Sequence, residues 1–389
     1  MLLSFLFKIF ATIAFVYLHQ KFYPQYTPDY TLIFADACKL SEQLHHNVSE
    51  YFKILLYAPK DPENWYLASQ KRAFFAAKLY SPLAWLTGKN FWLTMFYASG
   101  LTWAALWGLT NTLIRLFPKY QKAALISFVF LPSLNFWASA TSKESWLMIF
   151  LAILSIICLQ AIYQRLLWGQ AIIFLIVLYW LLLLKYYYAF GFLLFVCLYV
   201  FLFFTKNLSV RLRIFVAIGF VAVLWGLTHL HPNLQITQFA EALYTNYRLI
   251  LEASPKGSAL DLGLAPTWQS IFLHSPLGFV IGLFAPLPHH ISKWQVLPFA
   301  LENLLILILC VYVLVQIFRG KLQNTKFDEK TKILYICLIA FVIFMATFMG
   351  LSSPNFGALS RYKIGYAPFL LYLLLILFED LRQKRKPHQ

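Results

Sequence analysis

Long apolar segments constrain this chain more than any other feature of its sequence. Each is near the length of about 20 residues that a helix needs to cross about 30 Å of hydrocarbon. The 389 residues are 61% hydrophobic and only 12% charged, whereas a soluble domain has about 25% charged residues. An ordinary globular enzyme, a disordered tail and a coiled coil are therefore excluded. The sequence predicts an all-α, polytopic helical membrane protein with about ten transmembrane helices, at 2–19, 91–116, 122–140, 144–163, 167–184, 187–205, 211–229, 298–318, 332–352 and 362–379.

The distribution of positive charge predicts the orientation of these segments. If the N-terminus is cytoplasmic, most lysines and arginines of the short connections lie inside, and the short outer connections hold only Lys143, Lys185, Arg361 and Lys363. This positive-inside pattern requires an even number of spans, with both termini in the cytoplasm. The net charge of +17, including the basic cytoplasmic tail 380–389, is then explained by orientation and by membrane lipid headgroups. Nucleic acid is not an expected partner.

Two long segments lie on the outer side in this topology, within a single integral membrane domain that covers residues 1–389. They are the first outer loop, 20–90, and the second outer loop, 230–297. Most of the fifteen acidic residues fall on the outer side, while the inner side is almost purely basic. We therefore expect any chemistry on the outer face.

The first outer loop predicts two amphipathic helices. One begins at Thr27-Pro28-Asp29 and the other covers residues 65–80 after Asp61-Pro62-Glu63, since proline is favoured in the first turn of a helix. The second of these helices mixes aromatic and basic residues, which suits a position at the headgroup boundary. In the second outer loop, the apolar stretch from Trp268 to Leu287 contains several prolines and indicates an interfacial or re-entrant segment.

Asp29 and Asp36 are the candidate catalytic acids of the first outer loop. They are seven residues apart, so a helix would place both carboxylates on one face, two turns from each other. Asp29 follows a proline and can equally complement the dipole of the helix in its first turn. Asp36 follows three apolar residues and is harder to explain by solvation. The spacing makes a shared site geometrically feasible.

Charged residues at the membrane rim are the candidate binding residues, because charges near membrane depth pair with each other or serve a site. Lys143 and Glu144 stand in a short turn, where they either terminate two helices or bind and orient an anionic headgroup. Lys185 precedes three tyrosines, a pattern that fits an aromatic belt as well as a phosphate contact. Arg361, followed by Tyr362, can clamp phosphate oxygens in a bidentate way.

Several catalytic motifs are missing from the sequence. It contains no Walker loop, dinucleotide fingerprint, zincin helix or Gly-x-Ser-x-Gly elbow, which disfavours ATP-driven transport and serine hydrolysis. Four of the five cysteines fall within predicted spans, so no disulfide framework and no metal cluster are expected.

Short motifs follow one another along most of the chain in a recognisable order. They are Asp29, Asp36 and Lys71-Arg72 in the first outer loop, then Leu131-Pro132-Ser133 through Ser142-Lys143-Glu144, then Phe284-x-Pro286-x-Pro288 with Glu302, and finally Arg361-Tyr362 and Pro368. This order resembles the multi-spanning glycosyltransferases of the GT-C superfamily, and more closely the family-39-like bacterial envelope-glycan membrane proteins. Those sequences tend to show Lys-Asp where this chain has Lys143-Glu144.

The resemblance implies transfer of a sugar from a polyprenyl-phosphate donor to an envelope glycan or lipid-linked acceptor, on the outer face of the bacterial cytoplasmic membrane. A carboxylate of the first loop, Asp36 or Asp29, would take the proton of the acceptor hydroxyl, and direct displacement would invert the anomeric centre. Cations, or a divalent metal such as Mg²⁺ or Mn²⁺, would stabilise the departing phosphate. The substrate-binding residues implied are Arg361, Lys143, Glu144, Lys185, Arg72 and Tyr362.

Two other functions stay open at this point. One is an O-antigen or exopolysaccharide polymerase or ligase that uses undecaprenyl-pyrophosphate-linked glycans. Such enzymes typically depend on arginines rather than on an acid of the first loop. The other is a lipid-linked glycan transporter without catalysis, which should carry polar or charged residues within its spans, whereas the charges here are predicted mainly at the rims.

Overall fold

The computed structural model describes residues 1–22, 27–228, 236–255, 257–290, 296–320 and 327–383. Within these ranges all regular secondary structure is helical, apart from one isolated bridge between Ala259 and Asn355. The all-α prediction is therefore confirmed. Most of the predicted basic tail, including Lys384, Arg385 and Lys386, lies outside the described residues.

The chain divides into two compact units, Met1–Phe190 and Gly191–Gln389. The first unit contains α1 to α8 and the start of α9, and the second contains the rest. In the first unit the helices are α1 Leu2–Phe22, α2 Asp29–His46, α3 Val48–Leu56, α4 Lys71–Leu86, α5 Phe91–Leu116, α6 Gln121–Phe128, α7 Pro132–Trp137, α8 Lys143–Tyr163 and α9 Trp168–Thr205. In the second unit they are α10 Val210–Thr228, α11 Ile236–Glu252, α12 Trp268–Phe284, α13 Leu297–Phe318, α14 Glu329–Ser352, α15 Phe356–Lys363 and α16 Ala367–Gln383.

Among the described residues, five helices are long and apolar enough to cross a membrane. They are α1, α8, α9, α13 and α14. The pair α15 and α16, bent by 62° at its break, raises the number to six if it forms one span. The chain is consistent with a helical membrane protein, but the predicted number of about ten spans is wrong.

Three features explain most of the difference, and α10, at the predicted span 211–229, is also not among the candidates. The predicted span 122–140 instead forms the two short helices α6 and α7. The helix is interrupted after Phe128, and Pro132 starts a new one. The predicted spans 167–184 and 187–205 are two helical segments of α9 that meet at a kink at Lys185, where the backbone is not helical (φ −150°, ψ 80°), and α9 counts as one candidate span. Helix α5 carries three buried threonines and one buried serine, which lower its hydropathy, and it is not among the five.

The first outer loop contains three α-helices where the sequence indicated two. Helix α2 begins at Asp29 as predicted, but Pro62 starts only one turn of 3-10 helix, and α4 begins later, at Lys71. The additional helix, α3, begins after Asn47, whose side chain accepts the Glu50 N–H. Helix α4 packs along α2 and buries Phe74 and Tyr80, two aromatic residues of the helix that the sequence predicted at the headgroup boundary.

Small residues let two helices of the second unit approach closely. Helix α12 covers most of the stretch predicted to be interfacial or re-entrant, and it packs along α14. A Cβ atom built on Gly282 would overlap the Ala346 carbonyl, and one built on Gly350 would overlap the Gly278 carbonyl. Glycine is therefore required at these positions by the close approach of the two backbones.

We expect Gly282→Ala to lower the free energy of unfolding by about 1–3 kcal/mol, because overpacking forces the backbones apart. Gly219 in α10 is the matched control, since a Cβ atom there would meet nothing within 4 Å. Gly219→Ala should leave stability unchanged or raise it by up to about 1 kcal/mol. Thermal unfolding of the detergent-solubilised chain measures both. Equal melting temperatures for the two variants would contradict the close packing of α12 and α14.

Candidate functional site

The turn between α7 and α8 carries the first pair of candidate charges. Ser142 caps α8, and its hydroxyl accepts the Ser145 N–H at 3.2 Å. Lys143 and Glu144 are therefore the first two residues of a 21-residue helix. The N-terminal end of a helix favours negative charge, which suits Glu144 and would suit an anionic ligand.

Lys8, a buried lysine of α1, holds this turn in place by hydrogen bonds. The Lys8 ammonium is completely buried and donates to the carbonyl oxygens of Asn135 at 3.0 Å and Ala138 at 2.6 Å. These carbonyls lie at the end of α7, where helical hydrogen bonding runs out. A charged donor is thus matched to two carbonyls at the end of a helix, of which the Asn135 carbonyl also accepts the Ser139 hydroxyl.

Other elements hold the rest of the turn. The Ser99 hydroxyl of α5 accepts the Ala140 N–H at 2.9 Å, and the Thr141 hydroxyl donates to the Tyr30 carbonyl at 2.8 Å. The Tyr80 hydroxyl of α4 donates to the Ser142 carbonyl at 2.9 Å. Ala140 has a positive φ of 57°, which is strained for a residue with a Cβ atom. The surrounding bonds therefore impose a defined direction on the start of α8.

Asp29 and Lys143 form an ion pair, with the Asp29 Oδ2 and Lys143 Nζ atoms 2.9 Å apart. Asp29 is the first residue of α2, and its side chain is 43% exposed, against 16% for Lys143. The carboxylate thus remains accessible while its partner lies deeper. Residues that are 114 positions apart in the sequence meet here.

Glu144 and Lys185 form a second ion pair, which is almost completely buried. The Lys185 Nζ and Glu144 Oε1 atoms are 2.7 Å apart, and the side chains are 4% and 2% exposed. Lys185 is the residue at which α9 kinks. Since neither charge can be left alone in a buried environment, this pair links the kink to the start of α8.

Arg72 extends the series of charges. Its guanidinium carbon lies 4.6 Å from the ring centroid of Tyr186, a cation–π contact. The three contacts are separate, but Lys143 is next to Glu144 and Lys185 is next to Tyr186 in the chain. We call these residues the charged series: Asp29, Lys143, Glu144, Lys185, Tyr186 and Arg72. The first unit thus brings together five of the eight candidate residues that the sequence singled out.

Asp36 lies apart from the charged series and is fully buried. Its two carboxylate oxygens accept the backbone N–H groups of Tyr66 at 3.1 Å and Leu67 at 2.9 Å. Burial raises the pKa of Asp36, while these two hydrogen bonds and Lys39 act in the opposite direction. Asp36 thereby fixes the segment before α4. Its catalytic role stays a prediction, and of the two candidate acids Asp29 has the more exposed carboxylate.

Arg361 and Tyr362 belong to the second unit. An Arg361 guanidinium nitrogen lies 3.4 Å from the Tyr362 hydroxyl, and the guanidinium carbon lies 5.3 Å from the Tyr362 ring centroid. The next residue, Lys363, is buried and donates to the Leu283 carbonyl at 2.6 Å and the Asn303 side-chain oxygen at 2.7 Å. The phosphate-binding role of Arg361 stays a prediction.

The residues that sequence reasoning missed are those that hold the turn: Lys8, Thr12, Tyr80 and Ser99. Lys8 gave one usable signal, since a lysine within an apolar span is costly and normally has a specific partner. The hydroxyl residues gave none, because threonine and serine within a span commonly bond to their own helix.

A divalent metal does not fit the residues found. In the part of the chain that the structure describes, no group of three or more His, Cys, Asp and Glu side chains could hold a metal ion. In the charged series, both carboxylates are paired with lysines. Mg²⁺ and Mn²⁺ prefer several oxygen ligands, which the charged series does not offer.

No family model, no curated protein and no solved structure matches this chain. The likeness to GT-C glycosyltransferases therefore rests on the short motifs quoted above.

We expect the Glu144–Lys185 pair to be strongly coupled. Removing one partner leaves a buried charge, so Glu144→Gln and Lys185→Gln should each lower the free energy of unfolding by about 3–5 kcal/mol. The double variant should lose much less than the sum. The exposed pair Glu42–Lys89 is the control: its Lys89 Nζ and Glu42 Oε1 atoms are 2.9 Å apart, and its coupling should be about 0–1 kcal/mol. Additive losses at Glu144 and Lys185 would contradict the coupling.

We expect Lys8→Met to loosen the turn between α7 and α8. Loss of a charge-assisted hydrogen bond costs about 1.5–3 kcal/mol, and hydrogen exchange of the peptide that covers residues 138–145 should accelerate. Lys21→Met in the same helix is the control, because Lys21 is exposed. Unchanged exchange in Lys8→Met would show that the turn is held without this ammonium.

Proposed function

We propose that this chain is a membrane glycosyltransferase of the inverting, lipid-phosphosugar type. It would transfer a sugar from a polyprenyl-phosphate donor to an envelope glycan or lipid-linked acceptor. The observation that carries the proposal is the Asp29–Lys143 pair, whose carboxylate is 43% exposed and whose lysine directly precedes Glu144 of the buried Glu144–Lys185 pair. A base at the start of α2 and a phosphate-binding cation at the start of α8 thus stand next to each other.

Asp29 is the proposed general base. As the acceptor oxygen attacks the anomeric carbon, its hydroxyl proton passes to the Asp29 carboxylate. The bond between the anomeric carbon and the phosphate oxygen breaks, and polyprenyl phosphate leaves with the electron pair. One carbon–oxygen bond forms and one breaks, so neither an oxidant nor a covalent enzyme intermediate is needed.

Lys143 is the proposed phosphate contact. Its ammonium already lies 2.9 Å from a carboxylate oxygen, and a phosphate that gains charge as it leaves would compete for the same donor. When the Lys143 ammonium binds the phosphate, its ion pair with Asp29 would break, and the Asp29 carboxylate could then accept a proton. Arg72 is exposed and can add a second cation, while Lys185 acts mainly by holding Glu144 and the kink of α9 in place.

The buried lysines bear on the transporter alternative. Lys8 and Lys363 are charges within or beside apolar helices, as a transport path would require. Both are bonded to backbone carbonyls, however, at the ends of α7 and α12 respectively. These bonds favour a structural role and leave transferase chemistry as the stronger proposal.

The proposed location is the bacterial cytoplasmic membrane, with both termini in the cytoplasm and the charged series on the outer side. If the bent pair α15 and α16 counts as one span, the described residues hold six candidate spans. An even number keeps both ends of the chain on one side, as the positive-inside pattern requires.

The proposal is tested by reconstituting the chain in vesicles with a radiolabelled polyprenyl-phosphate sugar and a lipid acceptor. Asp29→Asn should lower the rate of sugar transfer by about 10²–10⁴-fold, the usual contribution of a general base. Asp36→Asn should instead lower the melting temperature, because its amide cannot accept two backbone N–H groups equally well.

Glu42→Gln is the matched control, since Glu42 also pairs with a lysine in the first outer loop. It should retain normal transfer. Normal transfer by Asp29→Asn would remove the base assignment. Turnover of pyrophosphate-linked glycans alone would favour a polymerase or ligase, and translocation of an unchanged labelled lipid would favour a transporter.

A further inference from the structure

Helix α3 exposes a row of large apolar side chains although it is not a candidate span. Val48 and Phe52 are 53% and 54% exposed, and Leu56 is 76% exposed. These residues are four positions apart, so they lie on one face of the helix. Tyr57, directly after the helix, is 70% exposed.

The opposite face of α3 fixes this orientation. Tyr51 and Ile54 are buried, and the Tyr51 hydroxyl lies 3.0 Å from the Ser81 hydroxyl of α4. The Lys78 ammonium, also from α4, donates to the carbonyls of Leu55 at 3.3 Å and Tyr57 at 2.7 Å at the end of α3. The apolar row is therefore held facing away from the protein, and a rotation of α3 could not bury it without breaking these bonds.

Positive charges border the apolar row. The Lys53 and Lys60 side chains are 60% and 75% exposed, and each ammonium lies 4.0 Å from a carboxylate oxygen of Glu50. A contact of this length leaves the lysines available to other anions. Aliphatic residues with lysines and a tyrosine at their edge match the boundary between acyl chains and anionic headgroups.

The position of α3 in the chain points to the same partner. Helix α3 is anchored to α4, and α4 contacts α8, one of the candidate spans. We propose that α3 lies in the outer boundary of the bilayer, with Val48, Phe52 and Leu56 among acyl chains. Lys53 and Lys60 then contact the phosphates of anionic lipids. This lipid contact stands independently of the proposed sugar transfer.

The test uses the full wild-type chain in vesicles of phosphatidylethanolamine and phosphatidylglycerol that carry a photoreactive diazirine on the acyl chain. Mass spectrometry then locates the labelled peptides. Residues 48–57 should be labelled as strongly as the lipid-facing surface of α13. Residues 61–66, which are largely exposed but more polar, serve as the unlabelled control. Equal labelling of the two loop peptides would overturn the proposal.

Two variants make the test specific. Phe52→Glu should abolish labelling of residues 48–57 while leaving that of α13 unchanged. Replacing Lys53 and Lys60 by Gln should weaken the dependence of labelling on phosphatidylglycerol by about fivefold per lysine. Crosslinking of α3 to a second copy of the chain, with no label from the acyl chain, would assign the face to a protein interface and overturn the lipid contact.

Discussion

Two hydrogen bonds from the Lys8 ammonium to the carbonyls at the end of α7 fix the geometry of the turn between α7 and α8. A six-residue helix packed among apolar neighbours ends in backbone oxygens that water does not reach, and the ammonium of α1 supplies their donor. With the end of α7 fixed, Ser99, Tyr30 and Tyr80 can bond to the following residues in turn. The direction in which Lys143 and Glu144 leave the turn is a consequence of these bonds, and the charged series depends on that direction.

The second unit uses the same interaction at a different place. Lys363 is buried and donates to the Leu283 and Ala285 carbonyls at the end of α12, and the Asn303 side chain provides a third acceptor. In both units a lysine replaces the water that would otherwise bind the last carbonyls of a helix. A helix can therefore end inside the apolar part of the protein. Charge in this molecule serves two separate purposes: single lysines complete helix ends, and the lysines of the charged series neutralise carboxylates.

The sequence predicted the elements of the site better than their contacts. Helix class, the start of α2 at Asp29 and the interruption at Lys185 follow from composition, a helix-starting proline and a charge within an apolar run. The broken segment 122–140 was misread as a span because hydropathy averages over the break before Pro132. The pairing of Asp29 with Lys143 depends on tertiary packing across 114 positions, and so does the use of Asp36 as an acceptor for Leu67. Neither can be derived from spacing within one helix.

The two buried lysines differ in whether their hydrogen-bond acceptors are synthesised before or after them. Lys363 emerges from the ribosome after Leu283, Ala285 and Asn303, so its acceptors already exist. Lys8 emerges first, and Asn135 follows only 127 residues later. During that interval the Lys8 ammonium of α1 needs a temporary hydrogen-bond acceptor from water, lipid phosphate or the insertion machinery. The Lys8 ammonium can therefore reach its final acceptors only after the chain has been synthesised as far as the turn between α7 and α8.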